Sequence, residues 1–554
     1  MAYYLLFAFI SALLSLNFFA FRGREQLFRF VAGFWFWLGV GYLWHPAYTA
    51  ALDWMSFLVP ATVGMVVTGL IGVNAAHSSP HASLPREAIG SGVALLALLG
   101  LLVGQSLARD ADFAAMTRSL HVRSAWRHYP PASDQHLIAV PQGVALATAQ
   151  NAIGSYGTGY QITRMDIERW HGQLYWIGAL DFRPGFFRWM SEKTAPGYIM
   201  VSAQNYNVAP RVVAGYHFRY TPNAYFGHNL YRHVQTAYPQ YQLGSADLEI
   251  TPRMQPYWVV SAYEKRWIGL VPQSVGAILV NPQTGVMRFV SGGRAPGWVT
   301  EINGSTYASL IARSYGNDLH GFFNTVFAHI GQFQPANVPE GVMGPGGQLY
   351  WYIALTSHSK SDQSALGFLM MNSRTGTMAL YHLNGIQNPR AIVSRVNGST
   401  NNPNIHADTP TFYNLDGSYA YIAPVVNNAN KLEEYAVLDP TNASPPIVGS
   451  TLAGVLSGWQ QYLANNGGNY QVTGGTVKYR TLSSVVARIA FNPAATAAEW
   501  LMTLKNHSAV FAVSAQTDPT AALIRPGDQI TITYVAHQPT PVPVSKLVDH
   551  RLPS

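Results

Sequence analysis

Four apolar stretches open the chain, and short alternating runs fill most of its remaining length. The apolar stretches cover residues 1–21, about 30–50, 54–74 and 88–108. Each is close to the roughly 20 residues that a helix needs to cross a hydrocarbon core. Further along, β-branched and aromatic runs alternate with Gly, Pro and Asn, which is typical of strands joined by tight turns. The pattern predicts an α-helical membrane anchor of about four transmembrane helices, followed by a β-rich α+β region with internal repeats.

Basic residues orient the predicted anchor. Arg22, Arg24 and Arg29 lie between the first two stretches, and the positive-inside rule places such a loop in the cytoplasm. Four alternating spans then carry residue 109 to the outside, whereas a three-span alternative would leave the later residues in the cytosol. We therefore expect a multi-pass protein of a bacterial cell membrane, with its large C-terminal region outside the cytoplasm. No charged residue occupies the middle of a span, which favours an anchor over a pump or coupled transporter.

An internal repeat organises the region after the anchor. In each copy, an aromatic pair is followed by an apolar run, a Gly-closed turn and a second run. The clearest copies combine Tyr257-Trp258 with the turn Asn281–Gly285, and Tyr350-Trp351 with the turn Asn372–Gly376. Tyr175-Trp176 begins another copy, and a degenerate one starts near residue 417. In these turns Asn281 and Asn372 are expected to cap the start, while Gly285 and Gly376 supply the positive φ that the turn requires.

The repeat sets the predicted domain boundaries. The predicted domains are an anchor (1–108), a stalk (109–135), repeats at 136–220, 221–310 and 311–395, a degenerate repeat (396–448), a C-terminal α+β or small β domain (449–538) and a Pro-rich tail (539–554). Helices are expected at Asp112–Val122, Asn229–Tyr238, Gly321–Phe333, Thr451–Leu463 and Ala494–Asn506. The tail shows no periodicity, so it is interpreted as a linker or docking arm.

A helix followed by a strand, a loop and a hairpin closed by (Asp/Asn)-x-x-Thr-Gly resembles the PepSY family of small extracytoplasmic α+β domains. The resemblance rests on Tyr257-Trp258 with Ala277–Val290 and on Tyr350-Trp351 with Phe368–Tyr381. It covers two segments of about 60–90 residues each. This sequence has Asn281 where that family often has Asp. The resemblance implies modules that bind or restrain other envelope proteins and carry out no catalysis.

Composition narrows the classes of function. Charged residues make up only 11% of the 554 residues and the net charge is +8, yet ordinary soluble domains carry about 25% charged residues. The chain contains no run of five basic residues, so a nucleic-acid partner is not expected. Cysteine is absent, which removes disulfides, thiolate metal sites and cysteine nucleophiles together.

No catalytic motif stands out. The chain lacks a Gly-x-Ser-x-Gly elbow, a His-Glu-x-x-His pair and a Walker loop, so we predict no enzyme, no cofactor and no metal site. Three histidine pairs lack the third ligand that a metal site needs: His77/His81, His128/His136 and His228/His233. The acidic residues, Asp247 and Glu249 among them, are scattered. Glycan hydrolysis stays open, because its two carboxylates need only meet in space.

The aromatic pairs allow two interpretations. They either fill the core of each repeat, which we favour, or line up as a platform for a glycan or peptide. The candidate interaction aromatics are Tyr175, Trp176, Tyr257, Trp258, Tyr350 and Trp351. Phe186, Phe187, Trp189 and Tyr225 would extend such a platform if they are exposed.

The leading functional hypothesis is a membrane-anchored, non-enzymatic binding or structural assembly protein of the cell envelope. Its expected partners are the lipid bilayer and an envelope protein or glycan, and a homo-oligomer is left open. One alternative is an envelope glycan hydrolase with carboxylates from separate repeats. Another is an oligomeric channel subunit whose pore is lined by polar residues such as Ser11, Ser15, Thr62 and Thr68.

Overall fold

The computed structural model describes most of the chain from residue 137 onward and part of the N-terminal region. The described residues are residue 16, six positions between 92 and 104, and the ranges 2–14, 23–44, 121–123, 137–264, 272–317, 324–344, 347–359, 362–382, 385–400, 402–415, 418–441, 444–466, 479–492, 498–515, 517–535 and 541–551.

Two helices form a hairpin at the N-terminus. Helix α1 (Ala2–Leu14) and helix α2 (Gly23–Trp44) pack through a small apolar cluster that includes Phe7, Ala12 and Trp37. Among the described residues, no helix combines the length and the apolar character needed to cross a membrane. At 13 residues, α1 is about 20 Å long, short of the roughly 30 Å hydrocarbon core. Helix α2 is longer but carries Arg24, Glu25 and Arg29.

This finding contradicts the predicted four-helix anchor over 1–108 and the multi-pass membrane localisation derived from it. The apolar residues of α1 and α2 form a helical hairpin in which some of the side chains pack against each other. The predicted spans at 54–74 and most of 88–108 lie outside the described residues, as do Ser15, Thr62 and Thr68. Ser11, the remaining predicted pore residue, is buried.

Four units with a common plan, a helix followed by an antiparallel sheet, occupy residues 137–449. Unit 1 consists of α3 (Gln142–Ala152), β3 (Asp166–Trp170), β4 (Gln173–Ala179), β6 (Ala195–Ser202) and β7 (Arg211–Phe218), together with the small pair β2 (Tyr160–Gln161) and β5 (Asp181–Phe182) and helix α4 (Phe186–Glu192). Unit 2 consists of α5 (Leu230–Ala237), β8 (Gln242–Ile250), β9 (Pro256–Glu264), β10 (Gln273–Val280) and β11 (Met287–Val290). In both units the four main strands pair in chain order.

Units 3 and 4 follow the same plan with a divided first strand. Unit 3 consists of α6 (Ser305–Asn317), β12 (Phe333–Pro335), β13 (Glu340–Met343), β14 (Leu349–Ser357), β15 (Gly367–Asn372) and β16 (Met378–His382). Unit 4 consists of α7 (Pro389–Ser399), β17 (Ile405–Ala407), β18 (Thr411–Leu415), β19 (Ser418–Asn427), β20 (Leu432–Leu438) and β21 (Ile447–Gly449). In each, the two short strands pair with the same long strand, β14 or β19.

Several local predictions differ from the structure. Of the helix expected at Gly321–Phe333, the described part contains only a five-residue π-helix, Asn324–Ala328. The helix that opens unit 3 lies earlier, at α6, where Ala308, Ile311 and Ala312 provide the buried face. Helix α6 begins within the predicted repeat 2 and crosses the predicted boundary between residues 310 and 311. In the predicted stalk, β1 (His121–Arg123) pairs in parallel with β16, so the end of the expected helix Asp112–Val122 is an added edge strand.

Three equivalent glycines show how closely the units match. Gly197, Gly276 and Gly367 each sit near the start of the strand that leads into the turn, with φ values of 156°, 152° and 158°. A Cβ atom at any of them would overlap a backbone carbonyl oxygen of the next strand. Only glycine allows this close approach without strain.

One continuous apolar core connects all four units. It contains buried side chains from Leu137 through Leu463, including residues of every unit's sheet and of α8 (Leu452–Asn466). Strands β14 and β19 are buried along nearly their whole length, because both faces of the sheets to which they belong are covered. The four units therefore form one folded body with a shared core rather than four separately folded domains.

A closed barrel comes after α8. Its strands are β22 (Tyr479–Phe491), β23 (Glu499–Leu504), β24 (Val510–Ser514), β25 (Gln529–Val535) and β26 (Val542–Asp549), in the order β22-β23-β24-β26-β25. The long β22 pairs with both β23 and β25, and β24 pairs in parallel with β26. This is the arrangement of an OB-type barrel, a scaffold that serves many unrelated functions.

The barrel changes two predictions. The Ala-rich helix expected at Ala494–Asn506 is replaced, where the structure describes it, by strand β23, whose buried Met502 and Leu504 alternate with partly exposed residues. The tail at 539–554 is not a free linker over its described part, because β26 closes the barrel with Val542, Val544 and Leu547 buried.

Candidate functional site

The tryptophans of the aromatic pairs are buried. Each donates a hydrogen bond to the segment that precedes the helix of its unit, which we call the lead-in segment. Trp176, Trp258 and Trp351 are 6%, 4% and 7% exposed. Their indole N–H groups donate to the carbonyl oxygens of Val140 (2.7 Å), Tyr220 (2.9 Å) and Asn303 (2.7 Å), respectively. In unit 4 the hydroxyl of Tyr421 donates in the same way to the carbonyl of Gln387, at 2.9 Å. A buried aromatic donor thus fixes the segment before the helix in every unit.

The tyrosines point to the opposite face, as alternation along a strand requires. Tyr175, Tyr257 and Tyr350 are half-buried. Tyr175 donates a hydrogen bond to Gln173 at 2.8 Å, and the ring of Tyr257 lies 5.4 Å from that of Trp298. Because the tryptophans are covered, the six aromatics of the pairs do not form one exposed row.

In both Gly-closed turns, an asparagine side chain accepts backbone N–H groups of the turn and the closing glycine has a positive φ. The Asn281 side-chain oxygen accepts the backbone N–H groups of Gln283 and Thr284, and Gly285 takes a φ of 74°. Asn372 accepts those of Arg374 and Thr375, and Gly376 has a φ of 70°.

These turns also receive the lead-in segments. The carbonyl of Pro282 accepts two backbone N–H groups, from Arg219 and Tyr220, and that of Ser373 accepts those of Ile302 and Asn303. His233, one of the paired histidines, approaches the carbonyl of Gly285 at 2.9 Å. Its neighbour in sequence, His228, packs against aromatic rings instead. The turn residues thus serve packing between segments.

A buried cluster of carboxylates lies where units 1, 2 and 3 meet. We call it the carboxylate joint and define it by Arg164 and five acids, each at most 5% exposed: Asp166, Glu168, Asp247, Glu249 and Glu301. The first two lie on β3 and the next two on β8, which are edge strands of their sheets. The backbone N–H of Leu248 donates to Asp166 at 2.9 Å, so a carboxylate of one unit satisfies the open edge of the next.

Arg164 is the central cation of the joint. Its guanidinium nitrogens lie 2.6 Å from Asp166, 2.7 Å from Asp247 and 2.9 Å from Glu301. The carboxylate oxygens of these three acids lie within 4.8 Å of one another, a spacing that one metal ion could span. Because the guanidinium contacts all three, it supplies the positive charge there, and we assign no metal site.

The two glutamates form the second half of the joint. Glu249 accepts the backbone N–H groups of Thr300 and Glu301 at 2.7 and 2.8 Å, and Glu168 accepts the Thr300 hydroxyl at 3.0 Å. Burial, and after it the neighbouring charge of Glu249, raise the pKa of Glu168. Burial raises the pKa of Glu249 to about 8 and that of Asp247 to about 7, and it raises the pKa of Glu301 as well.

The joint predicts that stability falls as the pH rises. The raised pKa values mean that the folded joint holds protons that the unfolded chain, with carboxyl pKa values near about 4, releases. Linkage then lowers the free energy of unfolding across the interval from about pH 4 to about 8. We expect the urea midpoint to be lower at pH 9 than at pH 6.

The variant Glu249→Gln isolates the contribution of the joint to that dependence. Glutamine does not titrate, so the slope of midpoint against pH should become shallower. Its single side-chain oxygen can accept only one of the N–H groups of Thr300 and Glu301, because these bond to different oxygens of Glu249, so the midpoint itself should also fall. An unchanged slope in the variant, or a midpoint that increases with pH in the parent protein, would contradict the assignment.

Sequence reasoning missed the joint, although part of its signal is visible. Asp-x-Glu occurs at Asp166-Ile167-Glu168 and again at Asp247-Leu248-Glu249. In register, Glu168 lies opposite Tyr175 and Glu249 opposite Tyr257, so the motif belongs to the repeat. Carboxylates from separate repeats do meet here, as the hydrolase alternative requires, but their burial leaves no room for a sugar ring.

An exposed group of large apolar side chains lies on unit 1. We call it the aromatic surface and define it by residues of α4 and of the segment that begins the 3₁₀ turn Phe226–His228 after β7: Phe186, Phe187, Trp189, Met190, Tyr225 and Phe226. Phe187, Met190 and Phe226 are 77%, 48% and 47% exposed, and no residue of α4 is buried. Four of these aromatics were expected from the sequence to extend an aromatic platform if they are exposed. Phe187 is exposed, and the other three, Phe186, Trp189 and Tyr225, are half-buried.

The aromatic rings support one another at this surface. The ring of Phe186 lies 5.6 Å from that of Tyr225 and 5.7 Å from that of Phe226, and Trp189 lies 5.6 Å from Tyr225. Phe226 has a φ of 51°, which is uncommon for a bulky residue and is often found at functional positions.

The rim of the aromatic surface is mainly basic. Arg183, Arg188 and Lys193 are exposed beside it, and Glu192 is the neighbouring acid. The Glu192 carboxylate accepts the Tyr160 hydroxyl at 2.9 Å. The arrangement can bind apolar side chains surrounded by acidic ones.

Comparison with known proteins assigns no relative. No protein-family model matches the chain, and no curated protein or solved structure was found to be similar to it.

Proposed function

We propose that this chain is a non-enzymatic binding protein in which four fused units form a rigid support and the aromatic surface of unit 1 docks a protein partner. The exposure of Phe187, Met190 and Phe226 beside half-buried aromatic rings carries the proposal. Contiguous exposed apolar patches are unusual on free surfaces and mark interaction sites. Aromatic side chains dominate the energetics of such sites.

The basic rim indicates the chemistry of the partner. Two copies of this surface facing each other would bring Arg183, Arg188 and Lys193 close to their own equivalents, and like charges at an interface are unfavourable. A partner that presents apolar side chains bordered by Asp and Glu would instead be complementary. We therefore propose an acidic protein surface as the occupant, and self-association is an outcome that the test distinguishes.

The experiment has two steps. A photo-crosslinking phenylalanine analogue at position 187 captures the molecule that contacts the surface in the native host, and the captured protein is then purified and titrated against the chain. We expect Phe187→Ser to weaken that binding about 30-fold or more, as for an interface hot spot.

A matched control is Val286→Ser, which removes a side chain that is 69% exposed but lies on unit 2, and should leave the Kd unchanged. Equal affinity of Phe187→Ser and the parent protein would overturn the proposal. A crosslink between two copies of the chain would replace the acidic partner with self-association.

A further inference from the structure

A groove runs along helix α6 on unit 3, away from the aromatic surface. It has a volume of about 810 Å³ and lies between α6 and the segment 334–339, reaching the start of α7 at Arg390. A second cavity of about 250 Å³ adjoins it and shares Ala336, Asn337 and Arg390. Helix α6 has 13 residues, about 20 Å, so the groove is long enough for an extended segment of about six residues.

The charges in this groove are all of one sign. Arg313, Arg390 and His358 line it, and no acidic residue does among the residues that the structure describes. Both arginines are exposed, and neither forms an ion pair or hydrogen bond within the described part of the chain. The arginines that stabilise the fold differ: Arg395 is held by Gln387, Asp439 and Ser444, and Arg374 by four backbone carbonyls.

Helix α6 presents one polar face to the groove. Thr306, Ser309, Leu310, Arg313 and Asn317 recur at the spacing of neighbours on a helix surface, and all five line the groove.

Apolar groups complete the lining. Leu310 is 37% exposed and Val338 is 72% exposed, and Pro335 and Pro339 lie beside them. Over the described residues, the lining contains no Phe, Tyr or Trp ring on which a sugar could stack. An apolar side chain between two acidic ones would contact Leu310 and Val338 while its neighbours reach the guanidinium groups.

We propose that this groove binds an extended acidic peptide segment, with carboxylates paired to Arg313 and Arg390 and an apolar side chain between them. Guanidinium and carboxylate groups form strong bidentate pairs. The proposal deepens the proposed binding function by naming a second recognition element, but it depends on a different surface, so either can fail alone.

Selection from a random seven-residue peptide library displayed on phage tests the groove. We expect enrichment of peptides with two or more Asp or Glu residues around an apolar one. A fluorescein-labelled copy of an enriched peptide should bind at least about tenfold more weakly to the double variant Arg313→Gln/Arg390→Gln. Its affinity should also fall as salt is raised.

The matched control is Arg288→Gln, an exposed arginine on β11 of unit 2, which should bind the peptide like the parent protein. Lack of acidic enrichment, or equal binding by the double variant, would overturn the proposal. So would tighter binding of an oligogalacturonate than of any selected peptide, which would reassign the groove to an anionic glycan. Crosslinking at position 187 is unaffected by these substitutions, so the two proposals are separated.

Discussion

Replacing Arg164 by methionine is expected to destabilise the protein by about 3 kcal/mol or more, because removing one partner of a buried ion pair leaves uncompensated charge. Three carboxylates, at most 5% exposed, lie within 2.6–2.9 Å of the guanidinium. Methionine fills a similar volume without the charge. Urea unfolding at pH 7 measures the loss, and hydrogen exchange should show faster opening of β3 and β8 than of the barrel.

Arg169→Met is the matched control for that variant. Arg169 lies on β3 but is exposed, so its replacement should change stability by no more than about 0.5 kcal/mol. Adding Asp247→Asn to Arg164→Met should recover part of the loss, since it removes one uncompensated carboxylate. If Arg164→Met unfolds at the same urea concentration as Arg169→Met, the joint does not stabilise the contact between units.

Replacing Trp176 by alanine is expected to cost about 3–5 kcal/mol, the range for a large aromatic in a core. The side chain is 6% exposed and its N–H donates to Val140. Trp176→Phe should cost less, about 1–3 kcal/mol, because it keeps an aromatic ring but leaves the carbonyl of Val140 without its donor. Thermal and urea unfolding of both variants measure the two losses and so separate the contribution of aromatic packing from that of the hydrogen bond.

Tyr175→Ala provides the comparison on the same strand. Tyr175 is half-buried and its hydroxyl bonds only to Gln173 among the described residues, so its removal should cost clearly less than that of Trp176. Equal losses of unfolding free energy at the two positions would mean that tyrosine and tryptophan contribute together as a pair. The role assigned to the tryptophans alone, fixing the lead-in segments, would then be wrong.

Local chemistry in the sequence was a good guide to the repeat but not to its boundaries. Asn281 and Gly285 could be assigned to a turn because their roles depend on neighbours only a few residues away. The start of unit 3 at Ser305 was not found, because Tyr and Ser side chains within α6 weaken its apolar periodicity. The helix expected at Asn229–Tyr238 lies at Leu230–Ala237, where Asn229 caps the first turn.

The larger differences between prediction and structure arise from tertiary contacts, which local sequence does not reveal. Arg164 and Glu301 are 137 residues apart in sequence, and nothing in their local context shows that they meet. Whether Phe186, Phe187 and Trp189 are exposed could not be predicted, since periodicity alone does not distinguish a covered helix face from an open one. The apolar residues of α1 and α2 suit a packed hairpin as well as a membrane span, and the short length of α1 and the charges on α2 distinguish the two.

The single apolar interior shared by the four units also governs how the chain responds to damage. A protease that cuts one of the connecting loops severs the covalent chain without severing the packing across it. The pieces would stay associated and keep their shape, so a nicked molecule could go on presenting both of the proposed binding surfaces in their original positions.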